Sequence, residues 1–179
     1  ESPELKADLK KAADQAEAFA KTYKDKLAGL NSEEFASAMA SYENIDEILS
    51  RVMSYAQLLH ALNTDDPKIG QFYQSMAEHV TDISSHLLFF TLEINRIDDK
   101  VMAKLMKDPA AARYQPWVSE VRLYRDHQLS DEMERLLHEK HVAGRAAWIR
   151  LFDETMARLR FPLDGEELTE SEVLNLLSD

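Results

Sequence analysis

The 179 residues include no cysteine, four glycines and five prolines. Without cysteine there are no disulfide staples, no thiol nucleophile and no Cys-ligated zinc. That composition also suits a reducing compartment. Sheets need turn chemistry every few residues, and so few Gly and Pro leave room only for long helices. Apolar runs are short as well. The longest, Leu87 to Phe90 with Leu92 and Ile94, is interrupted by Thr91 and Glu93, far below the ~20 residues that span a bilayer. Positive charge is scarce: 21 Lys and Arg stand against 33 Asp and Glu, a net charge of −12. Phosphate backbones and anionic membranes repel such a surface, so neither nucleic acid nor membrane is expected as a partner. The lysines at 6, 10, 11, 21, 24 and 26 alternate with acids at 4, 8, 14, 17 and 25, the pattern of a solvated helix face. No Gly-rich phosphate loop, G-x-S-x-G elbow or signal peptide is present.

What is there is helical periodicity. Ser2-Pro3 opens a helix as N-cap and first residue. Its stripe runs Leu5, Leu9, Ala12, Ala16, Phe19, Tyr23 to Leu27, with Gly29 expected to end it. Asn31-Ser32 starts a second helix, with Phe35, Met39, Tyr42, Ile45, Leu49, Val52 and Ala56 on one stripe to about Leu62. The short linker predicts an antiparallel hairpin whose arms are each roughly 40 Å long. Asp66-Pro67 starts a third helix, and Phe72, Met76, Val80, Ile83, Leu87, Phe90, Ile94 and Ile97 predict one continuous core helix. Met39, Met53 and Met76 belong to these stripes and read as core. Past Asp99 the helices shorten. Phe161–Leu168, with Asp164-Gly165 at its centre, is a hairpin signal. Thr169 and Glu172 form a capping box for a last helix. The expected fold is all-α: residues 1–99 as a long-helix bundle and 100–179 as a subdomain of shorter helices packed on it, with one small β-hairpin near 161–168.

The histidines give no catalytic set. His138-Glu139-Lys140-His141 spaces its histidines at i, i+3, whereas the zincin H-E-x-x-H needs i, i+4 to put both on one helix face. A solvated or capping role near a helix C-terminus is expected instead. His79 and His86, with Asp82, share an edge of the third helix and read as its polar side. None of the six histidines has a Glu three residues before it, which excludes the Glu-x-x-His pairs of di-iron bundles. Neither catalytic residues nor metal ligands nor a cofactor are therefore assigned to this chain.

The C-terminal stretch is both oily and acidic. Asp164, Glu166, Glu167, Glu170, Glu172 and Asp179 have no Lys or Arg among them. Phe161, Leu163, Leu168, Leu174 and Leu177 are more apolar surface than one contact needs, and are read as an interface. Its partner would be a further domain of the same protein, with a second copy of this chain as substitute.

Three stretches also carry a family resemblance. They are Ser54-Tyr55-Ala56-Gln57-Leu58 through Asn63-Thr64-Asp65-Asp66-Pro67, then Ser85-His86-Leu87-Leu88-Phe89-Phe90-Thr91-Leu92-Glu93-Ile94. The third runs from Gly144-Arg145-Ala146-Ala147-Trp148 through Leu151-Phe152-Asp153-Glu154-Thr155 to Leu174-Asn175-Leu176-Leu177-Ser178-Asp179. Together they resemble the N-terminal region of oligoendopeptidase F-like zinc metallopeptidases, in the thimet-oligopeptidase-like family. The resemblance implies a cytoplasmic enzyme that cuts short peptides in a deep channel. Its zinc is held by H-E-x-x-H and a later Glu, downstream of this segment. For this chain it implies a non-catalytic domain forming part of the channel wall, partnered by its own catalytic domain. The competing expectation is a stand-alone helical domain that binds a protein or peptide and does no chemistry.

Overall fold

The computed structural model describes residues 2–177. Glu1, Ser178 and Asp179, the last of which closes the acidic stretch, lie outside the described residues. Helix α1 (Pro3–Tyr23) starts on Ser2, whose Oγ accepts the Leu5 N–H. Helix α2 (Ser32–Leu62) starts on a full capping box between Asn31 and Glu34. Asp8 pairs with Arg51, Gln15 with Asn44, and Phe19 with Tyr42. Rising numbers on α1 thus meet falling numbers on α2, the antiparallel hairpin. Ala12 and Ala16 are fully buried between the arms, where small side chains let the axes approach. At 21 and 31 residues the arms are unequal, about 30 and 45 Å.

The end of α1 differs from the sequence reading. The helix stops at Tyr23, and Asp25 supplies the left-handed residue at φ 64°. Gly29 closes a separate 3-10 turn, Leu27–Gly29. A long-range contact makes the early stop favourable: the Glu93 carboxylate accepts the N–H groups of Asp25 at 2.7 Å and Leu27 at 3.3 Å.

The third helix is also not continuous. It divides into α3 (Pro67–Ser85) and α4 (Leu88–Arg96). Ser84 and Ser85 turn their hydroxyls onto the carbonyls of Thr81 and Asp82. Such side-chain back-bonding loosens the helical ladder, and adjacent serines are a common place for a break. The apolar stripe survives it: Met76, Ile83, Leu87, Phe90, Ile94 and Ile97 are all buried. Met39 is buried with them and Met53 partly so. The shorter helices follow as α5 (Asp99–Leu105), α6 (Pro109–Ala112), α7 (Gln115–Arg122), α8 (Asp131–Lys140) and α9 (Arg145–Arg158). Asp98 and Asp108 cap α5 and α6. Strands β1 (Phe161–Leu163) and β2 (Glu166–Leu168) pair antiparallel, Phe161 opposite Leu168. Asp164 at φ 53° and Gly165 at φ 91° make their two-residue turn. Helix α10 (Glu170–Leu176) starts on the Thr169–Glu172 capping box.

Asp99 ties α5 to α7. Its Oδ1 accepts from Arg125 Nη1 at 2.8 Å and Arg122 Nη2 at 2.5 Å. These bonds, that from Arg125 first, hold its carboxyl below the usual carboxylate range. A depressed folded-state value means stability that is present above the unfolded value, about 4, and is lost as pH falls through the folded one. Wild type is therefore expected to exceed Asp99→Asn in denaturant midpoint near neutral pH, with the gap closing in acid. A gap independent of pH would contradict this.

Candidate interaction surface

Helices α8 and α9 meet the bundle by one side only, and the hairpin and α10 follow them. Among the described residues beyond Arg122, Val142 alone is buried. Helix α8 is fastened to α3 by His138, whose Nε2 lies 2.9 Å from Ser84 Oγ and 3.3 Å from the Thr81 carbonyl. It is joined to α4 by an Arg96–Asp131 ion pair. His138 is thus a packing tie between helices, not the solvated group the sequence predicts. Helix α9 meets α3 at Gly70, where an added Cβ would lie 3.5 Å from Glu154 Oε1. Gly144 separates α8 from α9. A side chain there would come within 2.9 Å of the Lys140 carbonyl oxygen, a clash that only glycine avoids.

The opposite side of these elements is apolar and open. Trp148 is 71% exposed and Phe152 64%, and they stand four apart on one face of α9. Leu151, Leu159, Phe161, Leu163, Leu174 and Leu177 are exposed as well. On the hairpin, Phe161 and Leu168 are direct cross-strand partners and Leu163 shares their face by alternation. Leu168 is half-buried, and so is Val173, which shares a face of α10 with Leu174 and Leu177. Trp148, Phe152 and the α8 residues Met133, Leu136 and Leu137 were not among the interface residues read from the sequence; all five are exposed. The available signal was that α9 carries apolar residues on two opposite sides, which demands two neighbours. Acids rim this surface: Asp164, Glu166, Glu167 and Glu170 are exposed.

The remaining histidines are scattered. His79 Nδ1 lies 2.7 Å from its own helix's Ser75 carbonyl, and His86 is exposed at the α3–α4 break. His60 is buried and stacks on Tyr73 at 5.0 Å. With Tyr73, His141, Arg145 and Arg150 it lines a cleft of about 530 Å³ between α2, α3 and α9. Among the described residues, no three His, Asp or Glu side chains converge as metal ligands.

Residues 93–161 match the family model described as oligopeptidase F. This segment runs from α4 to the first strand, and so includes Trp148 and Phe152. Over those residues the chain is similar to the oligopeptidase F family. Its fold is shared with the crystal structure of oligoendopeptidase-F from Enterococcus faecium. That match has a TM-score of 0.82 at 20% identity and covers all of this chain and 36% of the other. No curated protein matches the sequence. The chain thus spans little more than a third of that structure's length. No helix among the described residues is long and apolar enough to cross a membrane.

Proposed function

We propose that this chain is the non-catalytic N-terminal domain of a cytoplasmic, zinc-dependent oligoendopeptidase. In this reading it forms part of the wall of the channel that admits short peptides. The observation that carries it is the exposure of large apolar side chains, with acids among them, from α8 to α10, on a chain equal to 36% of the matched structure. Exposed apolar area of this kind marks a surface that is covered in the working protein. The catalytic part of the same polypeptide is the natural cover, presenting an apolar groove with a basic rim. Phe161, Leu163, Leu168, Leu174 and Leu177 belong to that contact, and Trp148 and Phe152 are its aromatic anchors.

Zinc does not fit the described residues, because no three of their histidines and acids converge. In this reading the metal and the residues that activate water against the peptide bond lie in the remaining polypeptide.

Hydrogen exchange on the isolated chain and on a polypeptide extended to the full gene product tests the contact. Slower exchange of the amides of α9, the hairpin and α10 in the longer protein alone is the expected outcome. Equal exchange in both would sink it, and favour a stand-alone domain that meets some other protein or peptide. Peptide cleavage tests the enzymatic part separately. The longer protein should cut a short peptide in a chelator-sensitive way, and the isolated chain should not.

A further inference from the structure

A second concavity is built from different elements and different chemistry. Met39, Tyr42, Glu43 and Asp46 of α2 face Arg113, Tyr114, Pro116 and Trp117 around a cavity of about 390 Å³. The α2 residues recur at i, i+3, i+4 and i+7, so one helix face supplies them. Tyr42 and Trp117 stand side by side at 5.4 Å between ring centroids, tilted by 49°. Phe90 lies against both, at 4.9 Å from Tyr42 and 6.4 Å from Trp117, and so fixes the two rings. Burial pushes the Tyr42 phenol up to about 12, so it stays neutral.

The two carboxylates of this cavity are in different situations. Glu43 is already satisfied: its Oε2 accepts from Arg113 Nη2 and from the Tyr114 hydroxyl, each at 3.1 Å. The same Arg113 guanidinium sits over the Tyr114 ring at 4.5 Å. One cation is thus already held here between a carboxylate and an aromatic face. Asp46 has no such partner. No Lys, Arg or His pairs with it among the described residues, and burial alone shifts its carboxyl, upward. With Glu43 neutralised by Arg113, the cavity retains one uncompensated negative charge beside two aromatic rings.

We propose that this cavity binds an organic ammonium group, its charge on Asp46 and its methylenes against Tyr42 and Trp117. Aromatic faces attract cations through their ring quadrupole, and an alkylammonium brings the apolar stem that a hydrated metal ion lacks. A free amine and a lysine side chain share this chemistry. The site stands apart from the proposed docking surface, since none of its residues belongs to α8, α9, the hairpin or α10.

The chain has two tryptophans, which makes the test internal. Trp148 is exposed on α9, outside the cavity, so its indole N–H resonance is the control for that of Trp117. Titration with n-butylammonium chloride should shift the Trp117 resonance to saturation and leave Trp148 in place. Asp46→Asn, which keeps the side chain's shape and removes its charge, should weaken binding about five- to tenfold. 1-Butanol, with the same stem and no charge, should bind at least as weakly as that. Acetyl-Gly-Lys-Gly-amide distinguishes the sources. Tighter binding than butylammonium assigns the site to a lysine of a peptide, and weaker binding to a free amine. Equal response to butanol and butylammonium, equal movement of both indoles, or undiminished binding by Asp46→Asn would each overturn the proposal.

Discussion

Phe90→Ala is expected to lower stability by about 3–5 kcal/mol, the usual range for removing a fully enclosed aromatic side chain. Phe90 has no exposed surface and touches four other rings: Phe19 edge-on at 5.1 Å, Tyr42 stacked at 4.9 Å, and Phe89 and Trp117 beyond. Those rings come from α1, α2, α4 and α7, so one truncation opens a void where four helices meet. The void cannot close without moving helices that are pinned elsewhere. Leu87→Ala, at the α3–α4 break and also buried, should cost about 2–5 kcal/mol by the same mechanism. Lys11→Ala, on the exposed side of α1, should change stability by no more than about half a kcal/mol. Denaturant midpoints and slopes measure all three. A Phe90→Ala loss as small as that of Lys11→Ala would mean the aromatic cluster is not the centre of the core.

Arg122→Met is expected to cost about 2–3 kcal/mol, although it removes a charged group. The Arg122 side chain is only 12% exposed. It donates to the Ile94 carbonyl at 2.5 Å and the Ile97 carbonyl at 2.9 Å, besides Asp99. Ile94 lies in the last turn of α4 and Ile97 caps it, where the helix has no N–H of its own to offer. Methionine keeps most of the stem and leaves both acceptors without a donor, so the loss measures the hydrogen bonds rather than the packing. Arg122→Lys should recover only part of it, because one ammonium cannot reproduce the guanidinium fork. Full recovery by lysine would show that charge alone matters. The effect should also persist in high salt, unlike that of an exposed pair such as Arg51–Asp8.

Much of this molecule is written in local chemistry. Ser2-Pro3, Asn31, Asp66-Pro67 and Thr169 each start a helix where the sequence predicts one, because an N-cap is settled by a side chain and an N–H two or three residues on. Asp164-Gly165 makes its hairpin for a similar reason: two left-handed residues in a row leave few alternatives. The all-α fold was legible in the same way. Helix ends set by distant groups were not. The stop of α1 at Tyr23 depends on Glu93, which is far away in sequence. The break between α3 and α4 follows from two serines whose hydroxyls choose the backbone, a choice that periodicity does not register. The open apolar side was half legible. Phe161, Leu163 and Leu177 stood out beside unpaired acids, whereas Trp148 and Phe152 did not. A stripe records that a side chain is apolar, and not which neighbour covers it. Only the tertiary structure decides that, because burial is a property of the space between elements, and here one side of α9 is left exposed among the described residues. The cavity at Tyr42 and Trp117 has the same origin: its residues are some seventy positions apart and become a site only when α2 and α7 pack on Phe90.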